Sequence, residues 1–329
     1  MRHTKPTRRR LLQGTGAIVA APLFARVASA QADWPTKPVR VIVPYPPGGG
    51  ADTVSRIFFQ KLSETWGQQF VIDNRGGAGG TIAAAAAAKA DPDGYTILYD
   101  ATAFSVNPFL YPKLSFDYTK DFQPVFLASL VPNILVVTPS VEAKTVADVI
   151  ALAKAAPGGL DFASSGNGTV QHLSLEMFRH MTGTTINHIP YRGGGPALND
   201  VVGGQVKFFF SNGSASIGLV QSGKVKAIAH TGRGRLGTMP ELPPVSDTIP
   251  GFEAYEWNGV FVPTGAAGAI IQKLNAGLNA MLKEPVVTER LDKLNVAYRP
   301  NTPEDFRAFV AAEMERWSRV VKDANIKLG

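Results

Sequence analysis

Cysteine does not occur among the 329 residues, which excludes disulfides, thiolate nucleophiles and cysteine-ligated metal centres outright. His180, His188 and His230 stand at no spacing that suits a metal ion, so core or surface roles are expected for them, with no metal and no cofactor. No G-x-S-x-G turn is present, and hydrolysis by a Ser–His–Asp arrangement keeps only a remote place. Long apolar runs are missing too: the stretch at residues 11–24 is too short to span a bilayer. Low complexity is confined to the alanines at 83–88.

Acids are absent from residues 1–30, while Arg2, Lys5, Arg8, Arg9, Arg10 and Arg26 all fall there. Without these six, the formal net charge of +7 becomes +1. No basic stripe with interleaved aromatics remains, so nucleic acid is not an expected partner. Arg8, Arg9 and Arg10 precede the apolar stretch, and Ala28-Ser29-Ala30 is an A-x-A cleavage site. Residues 1–30 are therefore expected to be a signal peptide, of a kind that resembles the twin-arginine type, and the protein is expected in the periplasm. About 299 residues then remain, enough for two domains.

One stretch organises the rest. A β-branched strand at 39–43 is stopped by Pro44, Pro46 and Pro47, then Gly48, Gly49 and Gly50 lead into an amphipathic helix opened by Asp52 or Thr53. Strand, glycine-rich turn and helix N-terminus make a ready anion site. The device recurs. Strands at 70–72 and 95–99 end at 74–81 and 100–107, with Thr81 expected to cap a helix. In the second half, residues 160–163 lead through Ser164-Ser165-Gly166-Asn167-Gly168-Thr169 into a helix, 186–190 ends at Tyr191-Arg192-Gly193, and 206–210 ends at Ser211-Asn212-Gly213. Further strands are expected at 131–138, 225–229 and 257–262, a helix capped by Thr145, another starting at Pro263-Thr264-Gly265, and two more near 283–293 and 303–324. Such alternation predicts α/β lobes built on mostly parallel sheets, with ligands beyond the carboxyl ends of the strands.

Other features have simpler readings. Gly232-Arg233-Gly234-Arg235-Leu236-Gly237 satisfies a dinucleotide pattern, but Thr238-Met239-Pro240 follows where a helix is required. Gly218 to Lys224 mimics a phosphate loop, yet Val225 stands where a hydroxyl is needed, so a helix end before a strand is expected. His172 is expected at the solvent or in packing. Asp52 is either a partner of Arg56 or a water-mediated ligand contact. Tyr45, Phe104 and Trp257 either wall a ligand or pack.

Trp34-Pro35 with Pro38-Val39-Arg40, Pro44-Tyr45-Pro46-Pro47-Gly48-Gly49, Asn74-Arg75-Gly77-Ala78-Gly79-Gly80, Asp91-Pro92-Asp93-Gly94-Tyr95-Thr96, Asn107-Pro108, Tyr191-Arg192-Gly193 and the passage 240–244 together resemble the tripartite tricarboxylate transporter substrate-binding receptors, the Bordetella uptake gene family. The resemblance implies a type II periplasmic binding protein (a Venus flytrap), with residues 34–131 plus 254–329 in lobe 1 and 132–253 in lobe 2. It implies a non-enzymatic, monomeric receptor that captures a di- or tricarboxylate, amino acid or aromatic acid for uptake through membrane transporter subunits. A co-receptor for a sensor kinase is the alternative. The carboxylate would be held by backbone N–H groups, hydroxyls and waters. The implied ligand-binding residues are Tyr45, Pro47, Gly48, Gly49, Gly50, Asp52, Thr53, Asp100, Ala101, Thr102, Ser164, Ser165, Gly166, Gly168, Thr169, Tyr191, Arg192, Gly193 and Asn212. Asp100 departs from the small or hydroxylated residue usual there. If it faces the ligand, it favours an ammonium or another donor; otherwise it caps its own loop.

Overall fold

The computed structural model describes Met1, residues 34–323 and Ile326. The chain divides into a unit of Met1–Trp34 and a unit of Pro35–Gly329. The expected signal peptide lies outside the described residues, and the strands and helices described all belong to the second unit.

Nine strands form one mixed sheet: β1 (Val39–Val43), β2 (Phe70–Asn74), β3 (Thr96–Ala101), β4 (Phe122–Val137), β5 (Leu160–Ser164), β6 (Ile186–Pro190), β7 (Phe208–Asn212), β8 (Lys226–His230) and β9 (Tyr255–Pro263). Their order is β2-β1-β3-β9-β4-β7-β5-β6, with β8 also on β4. The two outer sets, β2-β1-β3 and β6-β5-β7, are parallel as the alternation implies. Antiparallel β9 and β4 join them.

Strand β4 is the long connector. Its first part pairs with β9 as far as Pro132 opposite Tyr255, and from Asn133 onward it pairs with β7 and β8. The expected strand at 131–138 is thus only its end. Pro124 sits where the register with β9 shifts, a place where a missing N–H is tolerated. These prolines hide the strand from a reading by period.

Helices come closely after the strand ends. They are α1 (Gly50–Trp66), α2 (Thr81–Ala88), α3 (Ala103–Leu110), α4 (Val146–Ala155), α5 (Val170–Thr182), α6 (Gly194–Val202), α7 (Gly213–Gln221), α8 (Gly268–Met281), α9 (Pro285–Lys293) and α10 (Pro303–Asp323). Thr145 caps α4 in a full capping box with Asp148. Thr81 does not cap α2. Gly80 holds that position at φ +94°, and the Thr81 hydroxyl donates to the Ala78 carbonyl. Helix α3 replaces the loop expected at 100–107, because Ser105, Asn107 and Pro108 blur its period. Helix α8 starts at Gly268, since β9 runs on to Pro263.

Aromatic packing fixes both ends of the sheet. Phe104 stacks on Phe261 at 4.0 Å and lies against Trp257, Tyr118 and Phe122. Phe162 stacks on Phe208 at 5.0 Å beside Phe178 and Phe210. Phe104 and Trp257 are buried in this core. Each such ring stabilises the fold by roughly 1.5–3 kcal/mol through burial.

Candidate functional site

Five helices begin at one cavity. Gly49, Gly50 and Ala51 bring the start of α1, Thr102 and Ala103 that of α3, and Thr169, Val170 and Gln171 that of α5. Gly194 brings the start of α6, and Asn212 and Ala215 that of α7. Tyr45, Ala101, Ser165, Ser211 and Glu256 complete the lining. The first-turn N–H groups of a helix lack intrahelical partners and carry the positive end of its dipole. Five such ends on one space make it strongly favourable to negative charge. The cavity holds about 20 Å³, room for a water molecule and little more.

Asn212 lines the cavity together with Glu256, against which its amide lies. Its Oδ1 caps α7 by accepting from the Ser214 N–H at 2.9 Å and from the Ser214 hydroxyl at 2.6 Å. Its Nδ2 is buried without a hydrogen-bond partner, a costly arrangement unless something else fills the position. Gly50 is glycine for this reason: a Cβ there would collide with the Asn212 amide. Gly193, at φ +136°, likewise leaves room for the Pro46 ring.

The acids divide into three environments. Asp52 is a clamp. It accepts from the Gly48 N–H at 3.0 Å, from Asn74 Nδ2 at 2.9 Å and from Arg56, and it does not line the cavity. Burial pushes its carboxyl up, but the bonds from Arg56, Gly48 and Asn74 outweigh that and hold it below the usual range. Asp100 lies behind the wall. It accepts from the Ala101 N–H at 2.7 Å and from the Tyr45 hydroxyl at 3.1 Å, while Oδ2 has no partner. Burial, reinforced by the Glu256 charge, pushes Asp100 up to about 7 against those two bonds. Glu256 is the acid on the cavity itself. It is 7% exposed, and Gln171 Nε2 donates to its Oε2 at 2.5 Å. Burial raises its pKa, opposed first by that bond and then by the side-chain amides of Asn212 and Asn258 beside it.

Of the residues expected from sequence, Tyr45, Gly49, Gly50, Ala101, Thr102, Ser165, Thr169 and Asn212 line the cavity. Gly166, Tyr191 and Arg192 instead line a neighbouring space of about 200 Å³, which shares Tyr45 and Ser165 with it. The Tyr191 hydroxyl donates to Asp200 at 2.7 Å, and its pKa is pushed up to about 12, first by burial and then by that carboxylate. Pro47, Gly48, Thr53, Ser164, Gly168 and Gly193 do not line the cavity. Thr53 bonds the Gly49 carbonyl, and Ser164 sits 2.6 Å from His188 Nε2. His172 is a packing residue: it stacks on His188 at 4.1 Å, and its Nδ1 accepts from the Gly168 N–H. Burial depresses His172 to about 3 and His188 to about 4.

Gln171, Gly194, Ser211 and Glu256 were not singled out from sequence. A signal existed for two of them. Gln171 falls two residues after the α5 cap, and Glu256 is the one acid in a mostly apolar strand. No group of three or more metal-ligating side chains occurs among the described residues, and none of the described helices is long and apolar enough to cross a membrane.

Residues 54–326 match the tripartite tricarboxylate transporter family receptor. Protein BugT of Bordetella pertussis is 35% identical over 322 residues, covering 97% of this chain and 98% of that protein. Among solved structures, R. palustris Rpa4515 with adipate superposes with a TM-score of 0.87 at 36% identity, over 89% of this chain and 99% of that one. Periplasmic binding protein BugD gives 0.86 at 32% identity, again over 89% and 99%. These matches carry the two-lobed α/β fold of periplasmic binding proteins across to this chain.

Proposed function

The chain belongs to the tripartite tricarboxylate transporter receptor family, and from that premise we propose that the cavity at the five helix N-termini receives the carboxylate of a small organic acid. Family membership makes the chain a solute-binding receptor rather than an enzyme. The observation that carries the proposal is the buried, unpartnered Nδ2 of Asn212 beside those helix ends. A carboxylate there gains charge-assisted hydrogen bonds of about 1.5–3 kcal/mol each. The adipate of Rpa4515 supports the same class of ligand.

A cavity of about 20 Å³ takes an acid of several carbons only if its walls part. The lobes of this reading are residues 34–131 plus 254–329, and 132–253. They hinge where β4 passes from β9 to β7 and where the chain re-enters β9 near Tyr255. Gly50 against Asn212 and Gly193 against Pro46 are then contacts of the closed form. In this reading the receptor is exported to the periplasm by residues 1–30, acts as a monomer and delivers its ligand to membrane transporter subunits.

A thermal-shift screen of the protein against mono-, di- and tricarboxylates, amino acids and aromatic acids tests the proposal. A ligand at 100 times its Kd adds about 2.7 kcal/mol of stability, a readily visible shift. Silence toward every acid, after unfolding and refolding to remove any carried-over ligand, contradicts it.

A further inference from the structure

We infer that the acid this receptor takes also carries an ammonium group, which Glu256 receives at the strand side of the cavity; the inference rests on the carboxylate reading above. Asp100, the sequence candidate for that role, has its Oδ1 engaged by the Ala101 N–H and the Tyr45 hydroxyl and is not among the residues that line the cavity. Glu256 does reach it, from the start of β9, with only 7% of its surface exposed.

The neighbour that donates to Glu256 is the Gln171 amide, whose Nε2 also lies 3.3 Å from Asn133 Oδ1. The Asn212 and Asn258 amides also lie against it and stabilise its charge, but all three neighbours are neutral. Among the described residues, no lysine or arginine forms an ion pair with Glu256 or figures in its electrostatics. A buried carboxylate without a counter-ion is expensive, and removing water by lobe closure makes it more so. A cationic group on the ligand relieves that cost where an uncharged one does not. Tyr45 strengthens the argument. Its hydroxyl donates away from the cavity, to Asp100, so a second acid stands behind the wall, and no lysine or arginine is among the lining residues. The helix starts present the positive ends of their dipoles, with Asn212 beside them. A cavity with donors at the helix starts and a carboxylate on the strand suits an amino acid and penalises a second ligand carboxylate.

The test is titration calorimetry of the full protein with matched pairs of acids from two to six carbons, such as glutamate with glutarate and 2-aminobutyrate with butyrate. The amine-bearing member is expected to bind about tenfold or more tightly. Glu256→Gln keeps the bond from Gln171 and is expected to abolish that preference, chiefly by improving the amine-free acid. Amine-free acids binding as tightly as their partners to the unaltered protein, with Glu256→Gln changing neither, overturns the inference while leaving the carboxylate reading intact. Silence from every acid removes both. The comparison on the unaltered protein decides the matter even if the variant folds poorly.

Discussion

The first residue of α1, Gly50, abuts the last residue of β7, Asn212, so closely that the space for a side chain at one is occupied by the amide of the other. The two come from opposite parts of the sheet order, β1 and β7 being separated by β3, β9 and β4. A contact so distant in the sheet, at the point where five helices start, couples the shape of the cavity to the approach of its two sides.

Gly50→Ala probes this contact. The added methyl meets Asn212, and overpacking of this kind costs about 1–3 kcal/mol. Because the clash falls at the cavity, ligand affinity is expected to drop at least as far as stability does. Calorimetry and urea unfolding on the same preparation check this; an unchanged affinity contradicts it.

Asp52 separates a clamp from a ligand contact. Asp52→Asn removes the charge opposite Arg56, whose half-exposed side chain limits the loss to ~1 kcal/mol. The folded pKa of Asp52 is depressed, so its contribution is present above the ordinary carboxylate range and fades as pH falls through the folded value. The variant should therefore be less stable at neutral pH and equal to the parent in strong acid. Its ligand affinity should be little altered, since Asp52 lies off the cavity.

Asp100 gives the opposite slope. Its folded pKa is raised to about 7, so between that value and its ordinary 3.8 the folded state binds the extra proton. Stability contributed by this group therefore rises as pH falls across that window. Relative to Asp100→Asn, the unaltered protein should gain roughly 1.4 kcal/mol per pH unit going from pH 7 toward 4. Urea midpoints at four pH values read this; a flat difference contradicts the buried position of the carboxyl.

His172 and His188 titrate the other way. Both are held neutral by burial, with folded pKa values of about 3 and about 4 against an ordinary 6.5. Their contribution is complete above pH 6.5 and is lost as pH falls toward those values. His172→Gln, with an amide in place of the stacked ring, is expected to lose neutral-pH stability and to flatten the acid limb of the unfolding profile. Unfolding measured between pH 7 and 4 checks this.

How far the site could be read in advance depended on local chemistry. The strand at β1, the proline stop and the triple glycine are local signals, and they locate the start of α1 to within three residues. Thr145 and Thr169 are likewise caps whose partners sit three residues away. Strand β4 was only partly visible, because Pro124 and Pro132 stand at a register shift and at the change of partner, where a ladder tolerates them. Asp100 was recognised as an anomaly, but its burial behind Tyr45 depends on pairing between β3 and β9, which no local pattern records. Glu256 and Gln171 meet across 85 positions, a distance that only the folded sheet closes.

The central claim, that a carboxylate occupies the space beside Asn212 and the five helix N-termini, is tested most directly by comparing an acid that binds with its own primary amide in calorimetry. The two differ in charge and scarcely in shape. The account predicts that the amide binds at least about a hundredfold more weakly, the loss of charge-assisted bonds in a desolvated site. An amide that binds as tightly as the acid would contradict it.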